Sequence, residues 1–171
     1  PLVSFAQDVN QNWVKQTVYK VATSTPIANP TAAQAQVNVT YLDGLGRPVM
    51  QIANKQSNTG KEIVVPIEYD GFGRTTKQYM PYVAPNGNMD YTDYNSQDIN
   101  TLVAPSYPQF GSQNFYSETL YEASPLSRVL KQAAPGTTDD WAMGSGHEIK
   151  YAYQTNTDAD QVKKFKINGS G

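Results

Sequence analysis

The pentapeptide Asp43-Gly44-Leu45-Gly46-Arg47 recurs as Asp70-Gly71-Phe72-Gly73-Arg74, 27 residues further on, and both copies lie between short runs rich in Val, Ile, Thr and Tyr. An aspartate–glycine pair favours a tight reversal, because glycine reaches positive φ freely and aspartate tolerates it better than most residues. Val37-Asn38-Val39-Thr40-Tyr41-Leu42 alternates before the first copy and Val49-Met50-Gln51-Ile52 follows it, which predicts an antiparallel hairpin over residues 37–53. The second copy predicts a hairpin over residues 63–79, the centre around which the chain is organised. Pro66 would place its first strand at a sheet edge, since proline cannot donate to a ladder. In either turn one glycine is expected to hold positive φ, and Gly73 is the one at which a β-branched residue would be costly. An internal offset of this size marks a stacked array. Tyr121-Glu122-Ala123-Ser124-Pro125-Leu126-Ser127-Arg128 keeps the order tyrosine, acid, turn, arginine with a longer turn, then enters Val129-Leu130-Lys131-Gln132. The fold class is therefore mainly β, an array of antiparallel hairpins.

Residues 1–12 read as an extended lead-in and residues 13–171 as one β domain. A strand is expected over 13–21, broken off by Pro26, Asn29 and Pro30, and the Ala-rich stretch 31–36 can form one helical turn. Residues 81–115 hold Pro81, Pro85, Pro105 and Pro108 among scattered aromatics. So long an irregular insertion is functional or packs as its own lobe, with a short helix at 95–102. A fourth hairpin is expected from Glu148-Ile149-Lys150-Tyr151-Ala152-Tyr153 and residues 161–167. The closing Asn168-Gly169-Ser170-Gly171 reads as a turn leading onward. The chain is therefore expected to be a piece of a longer protein, its last hairpin offering a strand edge to the remainder of that protein.

A net charge of −2 supplies no basic field for nucleic acid, and the absence of cysteine removes disulfides and thiolate metal sites. No window carries the roughly 20 apolar residues of a membrane span. The arginine after each turn (Arg47, Arg74, Arg128) can pair with the turn acid or lie across an aromatic ring. Recurrence in every unit points to a role within the unit. Gly44-Leu45-Gly46 and Gly71-Phe72-Gly73 lack the third glycine and the helix that a phosphate cradle needs. His147 is the only histidine, and Met143-Gly144-Ser145-Gly146-His147 lacks the glycines of a nucleophile elbow. Asn156-Thr157-Asp158-Ala159-Asp160 opens like a calcium loop and then fails at Gln161 and Ile167. It reads as a solvated turn, as do Asn88, Asp90 and Asp93. Asp139-Asp140-Trp141 could mimic a glycosidase carboxylate, but such enzymes need two carboxylates positioned across a substrate, which sequence alone does not show. The aromatics Trp13, Tyr79, Tyr82, Tyr107, Phe110, Tyr116 and Trp141 suit a packed face better than a sugar platform. No enzyme activity, cofactor or metal is expected.

Tyr69-Asp70-Gly71-Phe72-Gly73-Arg74 resembles the tyrosine–aspartate repeat of the Rhs and YD-repeat proteins. The ordered set Tyr41-Leu42-Asp43-Gly44-Leu45-Gly46-Arg47-Pro48, Glu68 to Arg74, Tyr79-Met80-Pro81-Tyr82, Ser124-Pro125-Leu126-Ser127-Arg128-Val129 and Gly144-Ser145-Gly146-His147 is similar to a domain of unknown function near the start of the Rhs core in large exported bacterial proteins. That resemblance implies hairpins winding into a closed shell around a C-terminal toxin or variable domain. It implies a secreted or cell-surface location, in relatives that often use type IX secretion. The partners it implies are the remainder of the same Rhs-type polypeptide and the secretion or delivery machinery. Asp43, Gly44, Gly46, Arg47, Tyr69, Asp70, Gly71, Gly73, Arg74, Tyr121 and Arg128 are then repeat-motif structural positions. Two departures stand out: Leu42 occupies the place of Tyr69, and Glu122 replaces the aspartate of the third unit. The alternative is a surface module that binds carbohydrate or protein through residues 81–115.

Overall fold

The computed structural model describes residues 10–85, 87–94, 98–110, 113–137, 141–160 and 163. Two antiparallel sheets carry the fold. The first is five-stranded, built from β1 (Asn12–Tyr19), β2 (Ala35–Leu42), β3 (Pro48–Ala53), β4 (Ile63–Pro66) and β6 (Tyr82–Val83), in that spatial order. The second is four-stranded and runs β5 (Lys77–Tyr79), β7 (Tyr116–Tyr121), β8 (Val129–Ala133) and β9 (Ile149–Lys150). Alternation in the sequence sets the inner face of the first sheet: Ala35, Val37, Val39 and Tyr41 of β2 are buried, with Met50 and Ile52 of β3 and Val64 of β4 beside them.

The first and third predicted hairpins are present. β2 pairs with β3, and β7 with β8. The 63–79 hairpin is not. The turn at Asp70 does reverse the chain, but β4 stays in the first sheet between β3 and β6, while β5 crosses to the second sheet and pairs with β7. A single bridge, Ile67 to Gln78, is all the ladder the two arms share. The reason is not local: β3 and β6 hold β4 in the first sheet and β7 takes β5 into the second, so the two arms find their partners elsewhere in the chain. Pro66 does not mark an edge strand either. It ends β4, opposite Met50, beyond the reach of β6, which pairs only with Ile63 and Val64; no donor is missed on that side. The central reversal therefore joins two sheets.

The insertion is irregular as expected, but it is not a separate lobe. Met89, Ile99, Val103 and Phe115 descend onto the inner face of the first sheet and form one core with Val39, Tyr41, Met50, Ile52, Val64 and Tyr82. Its helix α1 (Ile99–Val103) begins where the Asp98 side chain accepts the Asn100 amide, and Ile99 and Val103, four apart, face inward. At residues 31–36 a single turn closes through Ala35 N–H to Thr31 O at 3.0 Å and gives way at once to β2. The lead-in at 1–9, the start of the 95–102 helix, Asp139-Asp140 and all but one residue of the return arm 161–167 lie outside the described residues. β9 is two residues long, shorter than the strand expected over 148–153, and it stands outermost in the second sheet among the described residues. Among the described residues no helix is long and apolar enough to cross a membrane.

Candidate functional site

The repeat motif builds the same turn twice and a longer version of it a third time. In the first unit Asp43 N–H donates to Arg47 O and Gly46 N–H to Asp43 O, at 2.9 and 3.0 Å; the second unit repeats this with Asp70, Arg74 and Gly73, at 2.9 and 2.9 Å. One carboxylate oxygen of Asp43 accepts the Leu45 and Arg47 amides at 2.9 and 2.8 Å, and the other accepts Arg47 Nε at 2.7 Å. Asp70 does likewise with Phe72, Arg74 and Arg74 Nε, at 2.9, 2.9 and 2.8 Å. Each arginine adds a second contact from Nη2 to the same oxygen, at 2.7 and 2.8 Å. The acid thus satisfies the turn from inside while fixing its own arginine. Backbone donation from the arginine residue, then its side chain, holds both aspartates below the ordinary carboxylate range.

Glu122 achieves the same end with different atoms. Its side chain is longer, so Arg128 Nε reaches both carboxylate oxygens at 3.0 and 2.9 Å, and Ser124 takes over the amide of Leu126 while donating its hydroxyl to Glu122. The Arg128 and Ser124 hydrogen bonds pull the Glu122 carboxyl down to about 2. Ser127 stands where Gly46 and Gly73 stand and shares their positive φ, 49° against 77° in both glycines. Gly44 and Gly71 have ordinary φ and open space where a Cβ would go, so the turn does not require glycine there.

The units are also stacked on one another, which motif spacing does not reveal. The Arg47 guanidinium carbon lies 4.3 Å from the centre of the Tyr69 ring, that of Arg74 lies 4.7 Å from Tyr121, and that of Arg128 lies 4.8 Å from Tyr153. Each arginine therefore covers the tyrosine of the next unit, a cation–π contact of about 0.5–1 kcal/mol at an exposed site. The backbone repeats the step. The carbonyl two residues after each arginine accepts the amide two residues before the next tyrosine: Ile67 to Val49, Thr119 to Thr76 and Tyr151 to Leu130, at 3.0, 2.8 and 3.0 Å. Even the bulge recurs, between Tyr41 and Leu42 in one hairpin and between Leu120 and Tyr121 in the other. Arg47 also packs where a Cβ on Gly73 would lie 3.0 Å from its Nη1, and Arg74 Nη1 bonds the Ser127 hydroxyl at 3.1 Å.

Tyr153 thus takes the place that Tyr69 and Tyr121 hold in the other two steps. The motif does not mark it, because Gln154 follows it in place of an acid; its position two residues after Tyr151, at the end of an alternating stretch, is the available signal. Leu42 is explained as well. No described arginine lies over the first unit, so an apolar residue can fill the place.

Over residues 15–155 the chain matches a domain of unknown function, DUF6443. It belongs to that family. No curated protein and no solved structure matches it.

In this DUF6443 chain the other candidates have local roles. Ser145 Oγ accepts the His147 backbone amide at 3.2 Å, and the imidazole rests against Trp141 with centroids 5.5 Å apart. Asp160 closes its own turn on Thr157, whose amide it accepts at 2.6 Å. Tyr79, Tyr82 and Tyr107 pack in or against the core, whereas Trp13, Phe110 and Trp141 are exposed, contrary to the packed-face reading. Among the described residues no three His, Cys, Asp or Glu side chains come together.

Proposed function

We propose that this segment is a non-enzymatic structural part of an Rhs/YD-repeat shell, which encloses or displays a C-terminal toxin or variable domain of an exported bacterial protein. The observation that carries the reading is the arginine–tyrosine step, repeated from unit to unit with the same backbone hydrogen bond. Such a rule propagates: each unit supplies the arginine for the next tyrosine and takes one from the unit before. A wall built this way needs no reactive group, only a next strand. Its partner is the remainder of the same polypeptide, with secretion machinery second. The chain is secreted or held at the cell surface in this account.

The test uses the parent polypeptide. Limited proteolysis should leave its C-terminal domain protected while the shell is intact, and Arg74→Ala combined with Arg128→Ala should open it to cleavage. A C-terminal domain cleaved as fast with the ladder intact as with it broken would refute encapsulation.

A further inference from the structure

We propose a calcium site formed by Glu62, Asn88, Asp90 and Thr92, where the loop entering the insertion passes over the first sheet. Glu62 directly precedes β4, and its backbone carbonyl accepts the Ala84 amide at 3.0 Å. The residue is 2% exposed, and its Oε2 is buried with no hydrogen-bond partner among the described residues. A carboxylate withdrawn from water without a partner is costly, and native structures match such a group with a donor or a cation. Lys15 and Lys55 line an adjoining cleft that Glu62 shares, but no ion pair reaches Glu62 among the described residues.

Glu62 also lines a cavity of about 130 Å³ together with Asn88, Asp90 and Thr92, and no Lys, Arg or His lines it. The polar side chains around this space are thus two carboxylates, an amide and the hydroxyls of Thr92 and Tyr82, the last shared with Tyr94, and apolar side chains make up the rest of the wall. An all-oxygen set of this kind selects a hard cation. Asn88 Nδ2 donates to Asp90, which leaves the Asn88 amide oxygen to act as a ligand. The volume admits an ion with several waters, since each water occupies about 30 Å³ in the liquid. Calcium accepts such an irregular, partly hydrated shell, whereas magnesium demands a near-ideal octahedron.

The loop is shaped to bring this about. Gly87 holds φ +67°, and a Cβ there would lie 2.9 Å from Glu62 Oε2, so any other residue would strain the backbone and push the carboxylate aside. Met89 holds φ 55°, and its carbonyl is tied down by the buried Tyr41 hydroxyl at 2.8 Å. The sequence reading of Asn88 and Asp90 as a solvated turn lacked the third oxygen group, which comes from Glu62 on the other side of the 63–79 reversal.

With two carboxylates the affinity should fall in the range of weak extracellular sites, a Kd of about 0.1–1 mM. The experiment titrates calcium chloride into chelator-treated chain, by calorimetry and by thermal melting. One site should saturate, with Tm rising by roughly 5 °C at about 10 mM calcium. Terbium luminescence sensitised by Tyr82 should report the same site. Glu62→Gln and Asp90→Asn should each weaken binding at least tenfold, while Glu118→Gln, in β7 of the second sheet, should leave it unchanged. Glu62→Gln keeps the shape of a buried side chain that has no hydrogen-bond partner among the described residues, so its calcium-free Tm should equal or exceed that of the parent, which separates lost binding from lost folding. Absence of a saturable calcium effect on the parent would overturn the site. An unchanged response in both Glu62→Gln and Asp90→Asn would do so too.

Discussion

Replacing Gly73 by valine should be costly while the same change at Gly71, two residues away, should not. Gly73 sits at φ +77°, where an L-residue pays about 1–2 kcal/mol and a β-branched one the upper part of that range. A Cβ there would also lie 3.0 Å from Arg47 Nη1, so the guanidinium must give by a few tenths of an ångström, which weakens a contact with Tyr69 of about 0.5–1 kcal/mol. The two costs sum to roughly 2–3 kcal/mol, a Tm loss of about 4–12 °C for a chain of this size. Gly71 has neither problem: its φ is ordinary and its Cβ would meet open space. Paired urea and thermal unfolding of Gly73→Val and Gly71→Val reads the contrast directly. Gly73→Asn adds a control, since asparagine tolerates positive φ and should recover part of the loss. Equal stability of the two valine variants would refute both the turn assignment and the packing of one unit's arginine against the next.

Acid should loosen the ladder in a defined window. Asp43, Asp70 and Glu122 have folded-state pKa values below their ordinary ones, Glu122 reaching about 2 from 4.5, so the unfolded chain takes up protons first as pH falls. The stability they contribute is fully present above about pH 4.5 and is lost between there and about pH 2; Glu122→Gln should be less stable at pH 7 and show a shallower acid fall in a Tm–pH series. Phe115→Ala should cost about 3–5 kcal/mol in urea unfolding, because the ring is 1% exposed in a core shared by the insertion and the first sheet. A loss under about 1 kcal/mol would return the insertion to a separate lobe.

The parts of this fold legible in the sequence are those fixed by local chemistry. Asp43-Gly44-Leu45-Gly46-Arg47 encodes a turn within itself, and the alternation on either side of it is enough to give the strands their register. The 63–79 segment carries the same local code, yet its arms part company, because pairing partners are chosen by β3, β6 and β7 from elsewhere in the chain. The insertion was opaque for a related reason. Met89, Ile99, Val103 and Phe115 share no period, and only the sheet beneath them makes them a set. Among site residues, acid and arginine could be named from spacing. The tyrosine that each arginine covers lies in another unit, and Tyr153 lacks the acid that would have marked it. Glu62 carries no motif at all, and only its burial beneath Gly87 singles it out.

The central claim is that each arginine energetically couples its own turn to the tyrosine of the next. A double-mutant cycle on Arg74 and Tyr121 measures that coupling and cancels the arginine's contacts with Asp70. Arg74→Ala and Tyr121→Leu are the single changes, leucine being what the first unit carries at Leu42. Urea unfolding of the four proteins should give a coupling of about 0.5–1 kcal/mol, matched within error by the corresponding cycle on Arg47 and Tyr69. Additivity within about 0.3 kcal/mol in both cycles would mean that the rings and guanidinium groups are mere neighbours, and the account of a self-propagating wall would lose its basis.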